Sequence, residues 1–210
     1  MRKTTRENEK SFLTLIGILL ILLAVFLVVY SRYIEKKNLS VSEELTEQYI
    51  DTTSIIEKEN ETNTNSDVEE VVEKYDYIAV LEISSINLKR GLVAYDSKYN
   101  SVKYNIQILD NSDMPDVENG NLILAAHNGT SSVSFFNNMS SLKIDDKINV
   151  YYKGYKYTYK YNNSYEVDKN GKVQIVRDRY NNAITLITCK DNSDTKQIVY
   201  VGYLIEKTEY

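Results

Sequence analysis

The chain is poor in the residues that most restrict a fold. Of its 210 residues, cysteine, histidine and proline occur once each, as Cys189, His127 and Pro115, and tryptophan is absent. A single thiol excludes an internal disulfide, and a single imidazole leaves one ordinary proton shuttle near neutral pH. There is no internal repeat and no glycine-rich run of the kind that cradles a phosphate. Positive charge is in deficit: the formal net charge of −5 argues against nucleic acid as the main partner. What the chain has in quantity is tyrosine, with 19 copies, which fits half-exposed strand faces.

One long apolar run is present, Phe12 to Tyr30, without a charged side chain. As a helix it spans about 28 Å, close to the hydrocarbon core of a bilayer. The flank Ser31-Arg32-Tyr33 offers no small-residue cleavage site, so residues 12–30 are expected to be an uncleaved transmembrane helix. Arg2, Lys3, Arg6 and Lys10 precede it and Arg32, Lys36 and Lys37 follow it. That thin asymmetry favours a cytoplasmic segment 1–11 and an extracytoplasmic C-terminal bulk. Residues 31–74 read as an acidic stalk, with a fraying helix over 41–59 and coil over 60–66, because so polar a segment buries too little apolar surface to offset its ordering entropy.

The folded domain is expected over 75–210. Strand candidates are Tyr77–Ile83, Ile86–Ala94, Asn121–Ala126, Lys147–Tyr152, Tyr155–Tyr161, Ala183–Thr188 and Ile198–Leu204. A further hairpin is expected from Tyr165–Val167 and Val173–Val176 around Asn170-Gly171, a short helix over Asp96–Tyr104, and a helical turn or two over Ser134–Leu142. Many short strands with little helix predict a closed or nearly closed β-barrel. Asp110, Asp113, Asp116 and Glu118 are read as a solvated loop rather than a calcium site, and no metal or other cofactor is called for.

Cys189 and His127 each end an apolar run, Ala183 to Cys189 and Asn121 to His127. A strand that carries a reactive side chain at its tip holds chemistry on a rigid element while leaving it open to substrate. Taken alone, Cys189 also suits a small buried hydrophobe and His127 a satisfied core histidine. The run Thr185-Leu186-Ile187-Thr188-Cys189, ending at the sole cysteine, resembles the Thr-Leu-x-Thr-Cys signature of sortases. The context of His127, the apolar N-terminal run and the acidic stalk are similar too, and the resemblance covers about Tyr75 to the C-terminus.

That resemblance implies an all-β, sortase-like eight-stranded β-barrel with short helices, preceded by one transmembrane helix. It implies a cysteine transpeptidase that cuts a C-terminal sorting signal of Leu-Pro-x-Thr-Gly type between Thr and Gly. A Cys189 thioester would then pass the acyl group to an amine of a cell-wall precursor or a pilin lysine. His127 is the implied general acid and base, and Thr188, Leu186 and Ala126 are implied substrate-binding residues. The implied partners are surface proteins bearing sorting signals, an amine acceptor and the membrane. In sortases an arginine on the strand after the cysteine stabilises the oxyanion; the matching place here carries Lys196, which lacks the planar fork of arginine. Three readings stand: Lys196 serves, Arg177 or Arg179 reaches in, or the enzyme is slow or inactive. A tethered barrel that only binds a surface-protein peptide, and a thiol hydrolase with water as acceptor, are the competing functions.

Overall fold

The computed structural model describes residues 3–53 and 76–210. It falls into two units, residues 1–41 and Ser42–Tyr210. Helix α1 runs from Lys3 to Thr53. Within it, Leu15–Ile34 is a 20-residue stretch of mean hydropathy 2.6, long and apolar enough to cross a membrane. Its leucines, isoleucines and valines are largely exposed, as a lipid-facing surface requires.

The second unit holds eight strands: β1 (Tyr77–Ile83), β2 (Leu88–Val93), β3 (Gln107–Ile108), β4 (Asn121–Ala125), β5 (Lys147–Tyr152), β6 (Tyr155–Asp168), β7 (Ala183–Cys189) and β8 (Lys196–Glu209). They form one sheet in the order β2-β1-β5-β6-β8-β7-β4-β3. The sheet curls until its edges nearly meet. There, a side chain replaces the backbone ladder: Asn105 Nδ2 donates to the Gly91 carbonyl at 2.9 Å, and Asn105 Oδ1 accepts from Arg90 Nε at 2.9 Å. The expected eight-stranded barrel is therefore what the chain forms.

The barrel interior is filled by Leu81, Leu92, Ile106, Leu122, Ile148 and Ile184, with Phe136 and Met139 from the connection after β4. A second apolar cluster lies on the other face of β4, β7 and β8, built on Ile123, Ile187, Val199 and Val201 and packed against Val173 and Ile175 of the β6–β7 connection. This two-sided burial explains why the β4 and β7 sequences are almost unbroken apolar runs instead of alternating ones. β4 and β7 run parallel, with Asn121 opposite Ala183 and Ala125 opposite Ile187.

Several local expectations change. Tyr157, Tyr159 and Tyr161 turn into the core rather than onto a half-exposed surface. Burial pushes Tyr200 up to about 12, with Tyr161 beside it adding to the shift. The hairpin expected from 165–167 and 173–176 does not form: β6 continues to Asp168 on β8, and residues 173–176 cross back over the sheet's outer face. Segment 96–104 folds as turns, and only Met139–Ser141 of segment 134–142 makes a 3-10 turn. The stalk expected over 31–74 is not solvated throughout. Ser42 and Thr46 are buried, Ser42 Oγ lies 2.8 Å from Tyr77 Oη, and Tyr49 Oη donates to the Ile78 carbonyl at 2.5 Å. Residues 54–74 of that stalk, with the end of the helix expected over 41–59 and the coil expected over 60–66, lie outside the described residues, as does residue 75.

Gly91 carries a testable packing constraint. A Cβ added there would meet the Tyr77 ring at 2.2 Å. Gly91→Ala must displace a ring whose hydroxyl is tied to Ser42, so it is expected to cost about 1–3 kcal/mol. In thermal unfolding followed by near-UV circular dichroism, that is a fall in Tm of roughly 3–10 °C.

Candidate active site

The parallel β4–β7 pair brings the two singled-out side chains to one end of the barrel. Beyond the last ladder pair, Ala126 N donates to the Ile187 carbonyl at 3.2 Å. Thr188 Oγ1 donates to the Ala126 carbonyl at 2.8 Å. Asn128 Nδ2 reaches both the Cys189 carbonyl at 3.1 Å and Asp191 Oδ1 at 2.5 Å. His127 thus sits between two residues that are each bonded to the β7 tip. The buried Phe136 donates its N–H to the His127 carbonyl at 3.0 Å, which fixes the backbone while the residue stays exposed. Gly129 follows at φ +134°, a backbone region that favours glycine, and turns the chain away. Cys189 is a free, half-buried thiol.

Strand alternation assigns the faces. Cys189 lies opposite Gln197, and Ile187 opposite Val199; these share the face of the outer apolar cluster. Leu186 and Tyr200, also a cross-strand pair, point into the barrel interior. The substrate-binding expectation for Leu186, Thr188 and Ala126 therefore does not fit their placement. Leu186 and Ala126 belong to the interior core, and Thr188 is buried with its hydroxyl on the Ala126 carbonyl. The residues beneath the Cys189 face are Ile187, Ala125, Ile123, Val199 and Val167. The available signal was parity: a neighbour two residues from the cysteine shares its face, and one residue away does not.

Lys196 is one position beyond Gln197 and so on the opposite face from Cys189. It lies opposite Asp168 on β6 and pairs with it at 2.6 Å. That carboxylate raises the Lys196 ammonium above its ordinary value. Lys190 is similarly paired with Glu166 at 2.5 Å. Arg177 donates to the carbonyls of Asn119 at 3.0 Å and Asn181 at 3.2 Å, tying the β6–β7 connection to the loop before β4. Arg179 is exposed on that same connection. The structure therefore brings residues 127 and 189 to adjacent strand tips and holds Lys196 and Arg177 in other contacts. Among the described residues, no three or more His, Cys, Asp or Glu side chains gather as a metal site would require.

The β6–β7 connection is fixed over the outer cluster by two tyrosines. Tyr165 Oη donates to the Gln174 carbonyl at 3.0 Å and accepts from Val176 N at 2.7 Å, and Tyr203 Oη accepts from Asp178 N at 2.8 Å. This wall covers the outer apolar cluster on the face of β7 that ends at Cys189.

A nearly closed eight-stranded barrel, with a thiol and an imidazole at neighbouring tips of a parallel strand pair, defines a narrow structural class. A family model described as the Sortase domain matches residues 81–205. Sortase A of Bacillus anthracis is 31% identical over 137 residues, which is 64% of this chain and 62% of that relative's length. Among solved structures, the Clostridium perfringens sortase D5 transpeptidase superposes with a TM-score of 0.57 at 20% identity, covering 80% of this chain and 99% of that one. Listeria monocytogenes sortase A gives 0.54 at 21% identity, covering 64% and 90%. At these identities the structures show a shared fold. The chain belongs to the sortase family, a family of cysteine transpeptidases.

Proposed function

We propose that this chain is a membrane-anchored transpeptidase, with its barrel outside the cytoplasm, that cuts a C-terminal sorting signal of Leu-Pro-x-Thr-Gly type between Thr and Gly. Cys189 is the nucleophile and His127 the general acid and base. The observation that carries this reading is the pairing of the β4 and β7 tips through Asn128 and Ala126. The thiolate attacks the scissile carbonyl, and imidazolium protonates the departing amine. The thioester then accepts an amine from a cell-wall precursor or a pilin lysine, while neutral imidazole takes the proton. Shelter from water lets the amine compete with hydrolysis. The apolar floor and the fixed β6–β7 wall are the features suited to that shelter.

A second reading has its own support. Lys196, the cation at the matching place, is paired with Asp168 and stands on the face opposite to Cys189. That favours a barrel which binds a sorting signal but turns it over weakly or not at all. The test uses the full-length chain in detergent with a panel of fluorogenic sorting-signal peptides, with and without a glycine-peptide amine. Transpeptidation gives the peptide–amine adduct, detected by mass. Binding without cleavage or a Cys189 adduct across the panel supports the second reading and removes the first.

A further inference from the structure

Resting on the transpeptidase reading, we propose that Gln197, not Lys196, is the side-chain donor that holds the oxyanion formed at Cys189. Lys190 N donates to the Lys196 carbonyl at 3.0 Å, so residues 190 and 196 form a hydrogen-bonded antiparallel pair. The next pair inward, Cys189 with Gln197, is then a non-hydrogen-bonded pair, the kind in which opposing side chains stand closest. Their Cβ atoms are expected at about 4.5–5.5 Å. Both belong to the face built on Ile187, Val199 and Val167, and Gln197 is half-buried there.

The other donors near the sulfur are committed. The Lys190 N–H serves the turn after β7. The Asn128 amide serves the Cys189 carbonyl and Asp191. Lys196 serves Asp168. The Gln197 amide keeps two N–H donors on a side chain of two methylenes, with no side-chain hydrogen bond among the described residues. In the step, the Cys189 sulfur lone pair forms the C–S bond and the carbonyl π pair moves to oxygen. Gln197 Nε2–H donates to that oxygen. Collapse restores C=O, breaks the C–N bond, and the amine leaves with the proton of His127. A neutral amide stabilises this charge without a cation beside the thiol, as asparagine and glutamine do in other oxyanion sites.

The experiment uses the full-length chain in detergent with p-nitrophenyl acetate. Acylation of Cys189 by this donor passes through the same oxyanion but needs no sorting signal. Gln197→Glu keeps the shape and removes the donor, and Gln197→Ala removes both. Each is expected to slow Cys189 acylation by about 10²–10³-fold. In Gln197→Ala the rate of Cys189 alkylation by iodoacetamide, which forms no oxyanion, should change far less than the rate of acylation; Gln197→Glu also sets a charge beside the thiol, so it is read on acylation alone. Gln197→Arg restores a donor and should recover most of the rate. Lys196→Ala should lose far less than Gln197→Glu. Wild-type acylation in Gln197→Glu, a larger loss in Lys196→Ala, or equal losses of acylation and alkylation in Gln197→Ala would each overturn the assignment. A chain that passes this test yet cleaves no sorting-signal peptide keeps the Gln197 assignment and loses only the proposed substrate.

Discussion

Cys189→Ala is expected to remove the covalent intermediate and all acyl transfer above background. Wild-type chain incubated with a cognate sorting-signal peptide and no amine should gain one acyl mass on the peptide that contains residue 189. The alanine variant should gain none, and its turnover should fall by at least ~10³-fold; in other enzymes, loss of a nucleophile costs more than this. The change is gentle on the fold. The site is half-buried, its backbone is held by β8 and by Asn128 rather than through the thiol, and alanine tolerates the extended strand. The Tm should therefore move little, which separates lost chemistry from lost structure. Cys189→Ser sharpens the point: it keeps an oxygen nucleophile of much higher pKa, so it should be nearly as inactive as alanine. Retained transfer in the alanine variant would mean that Cys189 is structural and that another group carries the reaction.

The barrel was legible because its strands are bounded by turn residues and because β4 and β7 are apolar on both faces. What was less legible depended on partners distant in sequence. The tyrosine alternation from 155 to 161 specifies one shared face, but not that this face is the interior. That follows only when β5 and β8 flank β6 and close the barrel over it. Segment 173–176 is apolar and β-branched enough to pass for a strand, yet its Val173 and Ile175 pack on the outer cluster of β4, β7 and β8 while β6 pairs with β8 as far as Asp168. The helix over 42–53 reads as a polar spacer. Its less exposed side follows helical spacing through Ser42, Leu45, Thr46, Tyr49 and Ile50, but the residues buried most deeply, Ser42 and Thr46, are polar, so the stripe is easily missed in the sequence.

The site divides along the same line. The apolar runs ending at Cys189 and His127 were visible because a buried strand with a reactive residue at its tip is a local pattern. The cation was harder to place, since a shift of one residue reverses the face on which a side chain stands. Register on β8 is set by its two neighbours together: Gln197 stands between Cys189 and Val167, and Lys196 falls opposite Asp168. No spacing within the segment from Cys189 to Val201 contains that information. The same parity puts Leu186 in the barrel interior and Ile187 and Val199 in the outer apolar cluster.

His127→Ala is expected to lower turnover of an amide sorting-signal peptide by about 10²–10⁴-fold, the range for losing a general acid or base. Its diagnostic is dependence on the leaving group. An amide nitrogen must be protonated to depart, whereas p-nitrophenolate leaves as the anion. If His127 protonates the leaving amine, the variant's deficit should shrink markedly when the amide is replaced by a p-nitrophenyl ester of the same acyl group. A deficit of equal size on both donors would instead place His127 in forming the thiolate, or in holding the loop that carries Asn128. Fold loss is checked separately. The His127 carbonyl accepts from Phe136 N and the residue is exposed, so the alanine variant keeps its backbone anchor and should unfold at a Tm close to wild type. Undiminished amide turnover in that variant would remove the imidazole from the mechanism and leave Cys189 without the proton donor that amide cleavage demands.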